Sequence, residues 1–157
     1  MSIRDAMSHI THGTYVIGTK TKEKENLMTA AWLSQVSSRP ACIAVAVSEK
    51  HLTAEMIEKT GSFTVSVLSE EQYGEAYRCG TVSGREADKT AGELVEHDEK
   101  GNPFLKDAAA YLSCKLLDTV KVTDHILFIG EVTEGNGTPK KDMVYCMEEI
   151  LTKGKGK

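Results

Sequence analysis

Three short segments carry side chains that can do chemistry. The first is Ser48-Glu49-Lys50-His51-Leu52-Thr53, where an apolar run gives way to a helix start. Two hydroxyls, an ammonium and the unpaired N–H groups of a first helical turn together make an anion site. The same turn also reads as an N-capped surface helix with a solvated lysine. The second is Gly80 to Thr90, GTVSGREADKT. Here Ser83-Gly84 can present successive backbone N–H groups, and Arg85 and Lys89 add positive charge. Such Gly/Ser loops are also ordinary turns. Two anion-friendly loops in a chain of 157 residues with net charge −4 say more together than either does alone. The third segment is Thr123-Asp124-His125. A histidine beside a carboxylate can be oriented to donate or exchange a proton, or it can be a plain surface histidine in a hairpin turn.

Asn26 to Thr53 is unusually rich in small and hydroxyl residues. Thr29, Ala30, Ala31, Ser34 and Ser37 would let a backbone lie close to a flat, phosphate-bearing ligand. Trp32, the single tryptophan, suits core packing, a subunit interface or contact with a planar ring. His9 and His12 are spaced to share a helix face, but no other ligand cluster joins them, so no metal site is expected. Cys42, Cys79, Cys114 and Cys146 are scattered, without a C-x-x-C. They read as packed thiols in a reducing cytoplasm. There is no G-x-G-x-x-G after a strand, no P-loop, no G-x-S-x-G and no H-E-x-x-H, so a Rossmann domain and the common hydrolases are unsupported. Without a basic stripe outside the Lys153–Lys157 tail, nucleic acid is not an expected partner. No apolar run reaches the ~20 residues of a membrane span, and no signal peptide is expected.

The elements that must position these segments are mostly strands. A short helix is expected over Arg4–Ile10 with Ser2 as its cap. Strands follow at Thr14–Thr21, at Leu27–Ser37 and, buried on both faces, at Ala41–Val47, with Pro40 breaking the chain between the last two. Thr53 caps a helix to Lys59 that Gly61 ends. Phe63–Leu68 alternates as a strand, and Ser69 caps a second helix to about Arg78. Gly92–Pro103 reads as a charged loop. Ala110–Val122 and Ile126–Glu134 are long strands, Gly135-Asn136-Gly137 a turn and Met143–Met147 a last short strand. Strands do not alternate with crossover helices. A mainly β fold, an antiparallel barrel with two or three short helices, therefore fits better than a doubly wound sheet. Residues 1–152 form one domain, with 153–157 a disordered tail.

Five pieces in order carry a family resemblance. They are Thr29-Ala30-Ala31-Trp32 with Ser37 and Pro40; Ile43 to Ser48 with Lys50, His51 and Thr53; Phe63 to Leu68; Ser83-Gly84-Arg85 with Asp88-Lys89; and Asp124-His125 leading to Gly130-Glu131-Val132. Over about Ile10–Glu131 the chain resembles the flavin reductase-like family of FMN-binding split barrels. That family includes flavoredoxin, ferric reductases and the flavin domain of high-molecular-weight rubredoxin.

The resemblance implies a homodimer with one FMN per subunit near the interface. Thr29, Ala30, Ala31, Trp32, Leu33, Ser34 and Ser37 would lie along the isoalloxazine. Ser48, Lys50, His51 and Thr53, with Ser83, Gly84, Arg85 and Lys89, would surround the ribityl phosphate. His125 would stand near the ring as the candidate catalytic group. The implied activity moves electrons from NAD(P)H to free flavin, ferric complexes or a redox partner. The alternative is a flavoredoxin-like electron carrier with tightly bound FMN and no enzymatic turnover. A relative with pyridoxamine-phosphate-type oxidase activity is disfavoured by the Ser83–Lys89 and Asp124-His125 segments. Without C-x-x-C pairs in the sequence, no rubredoxin-like segment is expected, and a protein partner would be a separate chain. Cys42 matches a cysteine that some ferric reductases of this group carry near the flavin.

Overall fold

The computed structural model describes residues 1–157. Its nine strands are β1 (Tyr15–Lys20), β2 (Glu25–Ala30), β3 (Leu33–Ser38), β4 (Ala41–Ser48), β5 (Ser62–Val67), β6 (Val95–His97), β7 (Pro103–Leu105), β8 (Ala110–Val122) and β9 (His125–Gly137). Four helices accompany them: α1 (Ile3–Met7), α2 (Leu52–Thr60), α3 (Tyr73–Thr81) and α4 (Met147–Gly154). Seven strands form one antiparallel sheet in the order β2-β1-β5-β8-β9-β4-β3, and β6 and β7 form a separate hairpin.

That order dictates the shape. Consecutive strands β2 and β3 occupy opposite edges of the sheet. Six inter-strand spacings would separate those edges by about 29 Å in a flat sheet. The link from Ala30 to Leu33 reaches at most about 11 Å. The sheet must therefore curl until its edges approach, giving an antiparallel split barrel. The segment expected to be one strand, Leu27–Ser37, is two strands broken at Ala31-Trp32, because the chain changes edges there.

Two apolar layers hold the barrel. Ile17, Val45, Phe63, Val65 and Phe128 fill its interior. Val16, Leu27, Leu68, Cys79, Leu105, Met143 and Ile150 pack outside it with α3 and α4. Adjacent residues Val16 and Ile17 thus serve opposite faces of β1, as strand geometry requires. β4 is buried on both faces, as its continuous apolar run predicts. The alternating β5 is also buried on both faces. Its polar side is satisfied by the β6–β7 hairpin: Thr64 donates to the Pro103 carbonyl (2.5 Å), the Leu105 N–H donates to Ser66 and Asn102 donates to Ser62. The hairpin lies where a charged loop was expected.

Other boundaries moved for local reasons. Ser2 and Asp5 form a reciprocal capping box on α1, which ends at Met7. His9 and His12 lie beyond it and share no helix face. α2 starts one residue before Thr53, with His51 at the cap position and Gly61 ending the helix at φ 68°. α3 starts at Tyr73 rather than after Ser69, whose N–H is held by the Gln72 side chain. Gly135–Gly137 extends β9 by pairing with β8. Within Met143–Met147 there is one isolated bridge, Val144 with Gly13, before α4 begins at Met147. The chain end expected to lack structure continues α4 to Gly154, which is buried against Tyr73 and Tyr77. No helix is long and apolar enough to cross a membrane.

Candidate functional site

A cleft opens where β2, the start of α2, the end of α3 and the following loop meet. β2 contributes Asn26, Met28 and Thr29; α2 and its cap contribute His51 and Thr53; the α3 end and loop contribute Cys79, Gly80, Ser83, Gly84 and Lys89. The barrel explains the convergence. β2 is an edge strand of the sheet, and the Ser48–Leu52 turn follows directly from β4.

The cleft favours an anion. The first turn of α2 directs N–H groups outward, with no side-chain cap from His51. Lys89 donates to the Cys79 carbonyl at the end of α3 (3.0 Å) but pairs with no carboxylate. Burial holds its pKa below the ordinary lysine range. Burial, followed by the charges of Lys89, His125 and Arg85, also holds the His51 pKa down. His51 Nδ1 lies 3.1 Å from Met28 Sδ. The site thus contains a cation that no acidic side chain neutralises.

Its floor is tightly built. Thr29 Oγ1 donates to the Ala76 carbonyl (2.8 Å), and a Cβ on Gly80 would press on Thr29 at 3.1 Å. Asn26 is 2% exposed. Its Nδ2 donates to Thr53 Oγ1 (3.0 Å), while its Oδ1 has no partner. A Cβ on Gly84 would overlap that oxygen, so only glycine lets the loop lie this close to β2. Cys79 lies under the cleft, its thiol pushed up to about 12 mainly by burial, which disfavours a thiolate role.

A second group stands at the β8–β9 turn. His125 faces Ser48 across the β4–β9 pairing. Its Nδ1 is 2.8 Å from Asp124 Oδ1, and that hydrogen bond is the main cause lowering the Asp124 pKa. The Trp32 ring lies 4.8 Å from the His125 ring, tilted by 37°. Trp32 remains 54% exposed, which removes core packing as its role.

The expected residues therefore separate. Thr29, His51, Thr53, Ser83, Gly84 and Lys89 line the cleft. Ala30, Ala31 and Trp32 form the crossing beside it, with His125 against Trp32. Ser48 Oγ accepts from the Lys50 N–H (3.4 Å) within its own turn. Arg85 turns away from the cleft: its terminal nitrogens bind Glu55 at 2.5 and 3.3 Å, and one also reaches the Lys50 carbonyl. Leu33 and Ser34 line a different, apolar groove with Tyr15, Cys42, Ile43 and Leu112. Ser37 pairs with Cys42 at the far end of β3. Sequence reasoning did not name Asn26 or Met28 as site residues, took Cys79 as a packed thiol and singled out the Gly80–Thr90 loop without Gly80 itself. The expected strand began at Leu27, one residue short of Asn26, whereas β2 starts at Glu25.

Comparison with known proteins agrees with this arrangement. Residues 7–152 match the model of the flavin reductase like domain. The chain is 37% identical over 131 residues to the high molecular weight rubredoxin of Moorella thermoacetica, covering 82% of this chain but only 57% of that protein. It is 31% identical over 142 residues to the reductase component of a 4-nitrophenol 4-monooxygenase/4-nitrocatechol 2-monooxygenase from Rhodococcus opacus, covering 87% of this chain and 73% of that one. The crystal structure of flavoredoxin from Methanosarcina acetivorans superposes with a TM-score of 0.81 at 25% identity, covering 88% and 82% of the two chains. Both the matched sequence and the split-barrel architecture thus show that the chain belongs to the flavin reductase-like family.

Proposed function

We propose that the protein is an FMN-containing oxidoreductase that passes electrons from NAD(P)H to free flavin, ferric complexes or a separate redox protein. The observation that carries this reading is the partly buried Lys89 ammonium, which lacks a carboxylate and faces the start of α2 across the cleft. A phosphate would supply the missing charge. FMN fits the residues present. Lys89, Ser83, Gly84 and the α2 start at Thr53 would hold the phosphate, with Ser48 and Lys50 in the turn beside them and Arg85 held off by Glu55. Asn26, whose side-chain oxygen is unpaired, lines the same cleft, and the side-chain-free positions Gly80 and Gly84 let the loop close onto Thr29 and Asn26. Thr29–Trp32, His51 and His125 would flank the ring.

When bound, the flavin supplies hydride acceptance and onward electron transfer. The chain supplies binding, orientation and charge balance. Asp124 engages His125 Nδ1 and orients the ring, leaving Nε2 free to hydrogen-bond a bound molecule. Trp32 shields one side of that imidazole. A homodimer would cover the apolar groove around Leu33, Ile43, Val67, Leu112 and Val132, together with the exposed Trp32 and Val36. A reducing cytoplasm suits the four free cysteines.

A second reading is an electron carrier without enzymatic turnover. The similarity to a flavoredoxin and to a rubredoxin favours it. Anaerobic stopped-flow mixing of the purified yellow protein with NADH and with NADPH separates the two. Flavin bleaching within seconds with either donor is the expected result; slower bleaching with both would leave the carrier. Protein purified without a flavin spectrum, and unable to take up added FMN, would remove both readings.

A further inference from the structure

We propose that Glu55 limits the affinity of the cleft for a phosphorylated ligand by competing with the phosphate for Arg85. The inference rests on the FMN reading and adds a residue that acts against binding. Arg85 follows Gly84, which lines the cleft. Its guanidinium donates to both oxygens of Glu55, at 2.5 and 3.3 Å, and to the Lys50 carbonyl at 3.3 Å. Lys50 precedes the start of α2, and Glu55 lies in its first turn. The cation therefore sits beside the helix end that faces the cleft.

A cation beside a helix N-terminus is unfavourable unless an anion joins it. In the empty protein that anion is Glu55, whose carboxyl is held below its ordinary range chiefly by the Arg85 hydrogen bond. Burial is the main cause of the low His51 pKa, and the charges of Lys89, His125 and Arg85 add to it. The Arg85 charge is thus felt inside the cleft. A phosphate held by Ser83, Gly84 and Lys89 offers Arg85 the same forked pairing as a carboxylate. Gly84 is already at the cleft, so rotating the Arg85 side chain brings the guanidinium to the phosphate without moving the loop. Glu55 stays behind on α2. Forming the phosphate contact therefore breaks the ion pair, and the ligand binds more weakly by that amount. Both partners are exposed, Arg85 44% and Glu55 56%, so the pair is weak and the effect modest.

The test titrates wild type, Glu55→Gln, Arg85→Ala and the double variant with FMN and with riboflavin, which lacks the phosphate, following flavin fluorescence. Glu55→Gln should bind FMN about two- to fivefold more tightly than wild type and riboflavin equally well. The gain should shrink at high salt. It should also be smaller when Glu55→Gln is made in the Arg85→Ala background, because no cation is then released. Equal gains in the two backgrounds would show that Glu55 acts only through its field and would overturn the competition. Unchanged FMN affinity in Glu55→Gln would overturn the proposal and leave the FMN reading intact. Weaker binding of FMN and riboflavin alike would overturn it too, making the ion pair a brace that holds the loop in its binding form. A wild type that binds neither ligand would overturn both the proposal and the flavin reading.

Discussion

Replacing Lys89 with methionine should affect the empty protein and the ligand in different ways. The ammonium is partly buried, burial disfavours its charged form, and no carboxylate compensates it. Its ammonium makes one hydrogen bond, to the Cys79 carbonyl at 3.0 Å. Losing a hydrogen bond of that kind costs about 0.5–1.5 kcal/mol. Relieving the desolvation of a cation acts in the other direction. The apo Tm of Lys89→Met should therefore stay close to wild type. FMN binding has no such offset. A charge-assisted contact to phosphate contributes about 1.5–3 kcal/mol, so Kd should rise about 12- to 160-fold. Riboflavin, which lacks the phosphate, should bind both proteins alike. Fluorescence titrations with the two ligands, repeated at low and high salt, measure this. The wild-type advantage for FMN should shrink as salt rises. An unchanged FMN affinity, or equal losses for FMN and riboflavin, would refute the assignment of Lys89 to the phosphate. Adding Arg85→Ala should weaken FMN further, but by less than Lys89→Met, because Arg85 is exposed and already committed to Glu55.

His125→Ala should retain FMN, keep its Tm and slow flavin reduction by the nicotinamide donor; an unchanged stopped-flow rate would make His125 structural. His51 sets a pH dependence. Burial, then the neighbouring cations, depresses its pKa in the fold, so below about 6.5 the unfolded chain binds the proton more readily. Stability should fall as pH drops through that value toward the lower folded pKa, and His51→Gln should flatten the fall in urea melts taken from pH 8 to 5; identical slopes would contradict it. Gly18→Ala should lose about 1–3 kcal/mol in urea unfolding, because a Cβ there would overlap the Pro103 carbonyl and Thr64 Oγ1. A wild-type midpoint would show that β7 shifts freely.

The sequence by itself determined the local structure wherever periodicity and punctuation were strong. The apolar run of β4, the strand Ala110–Val122, the Gly61 stop and the Ser2 cap all follow from short-range chemistry. The two anion-friendly loops were legible because hydroxyls, glycines and cations are concentrated in them. Tertiary structure decided how these parts combine. The break at Ala31-Trp32 has no turn signal; it exists because consecutive strands must reach opposite edges of one curled sheet. Arg85 looked free for a ligand until folding brought Glu55, thirty residues earlier, within 2.5 Å. Ser37 and Thr29 share one stretch of sequence but end on different sides of the crossing. Asn26 fell just before the strand expected from Leu27, and only folding enclosed it between Thr53 and Gly84. Hydrogen-bond satisfaction and charge compensation depend on neighbours distant in the chain. The loops that could bind an anion were therefore visible in the residues, while the cleft and its uncompensated Lys89 appear only in the folded barrel.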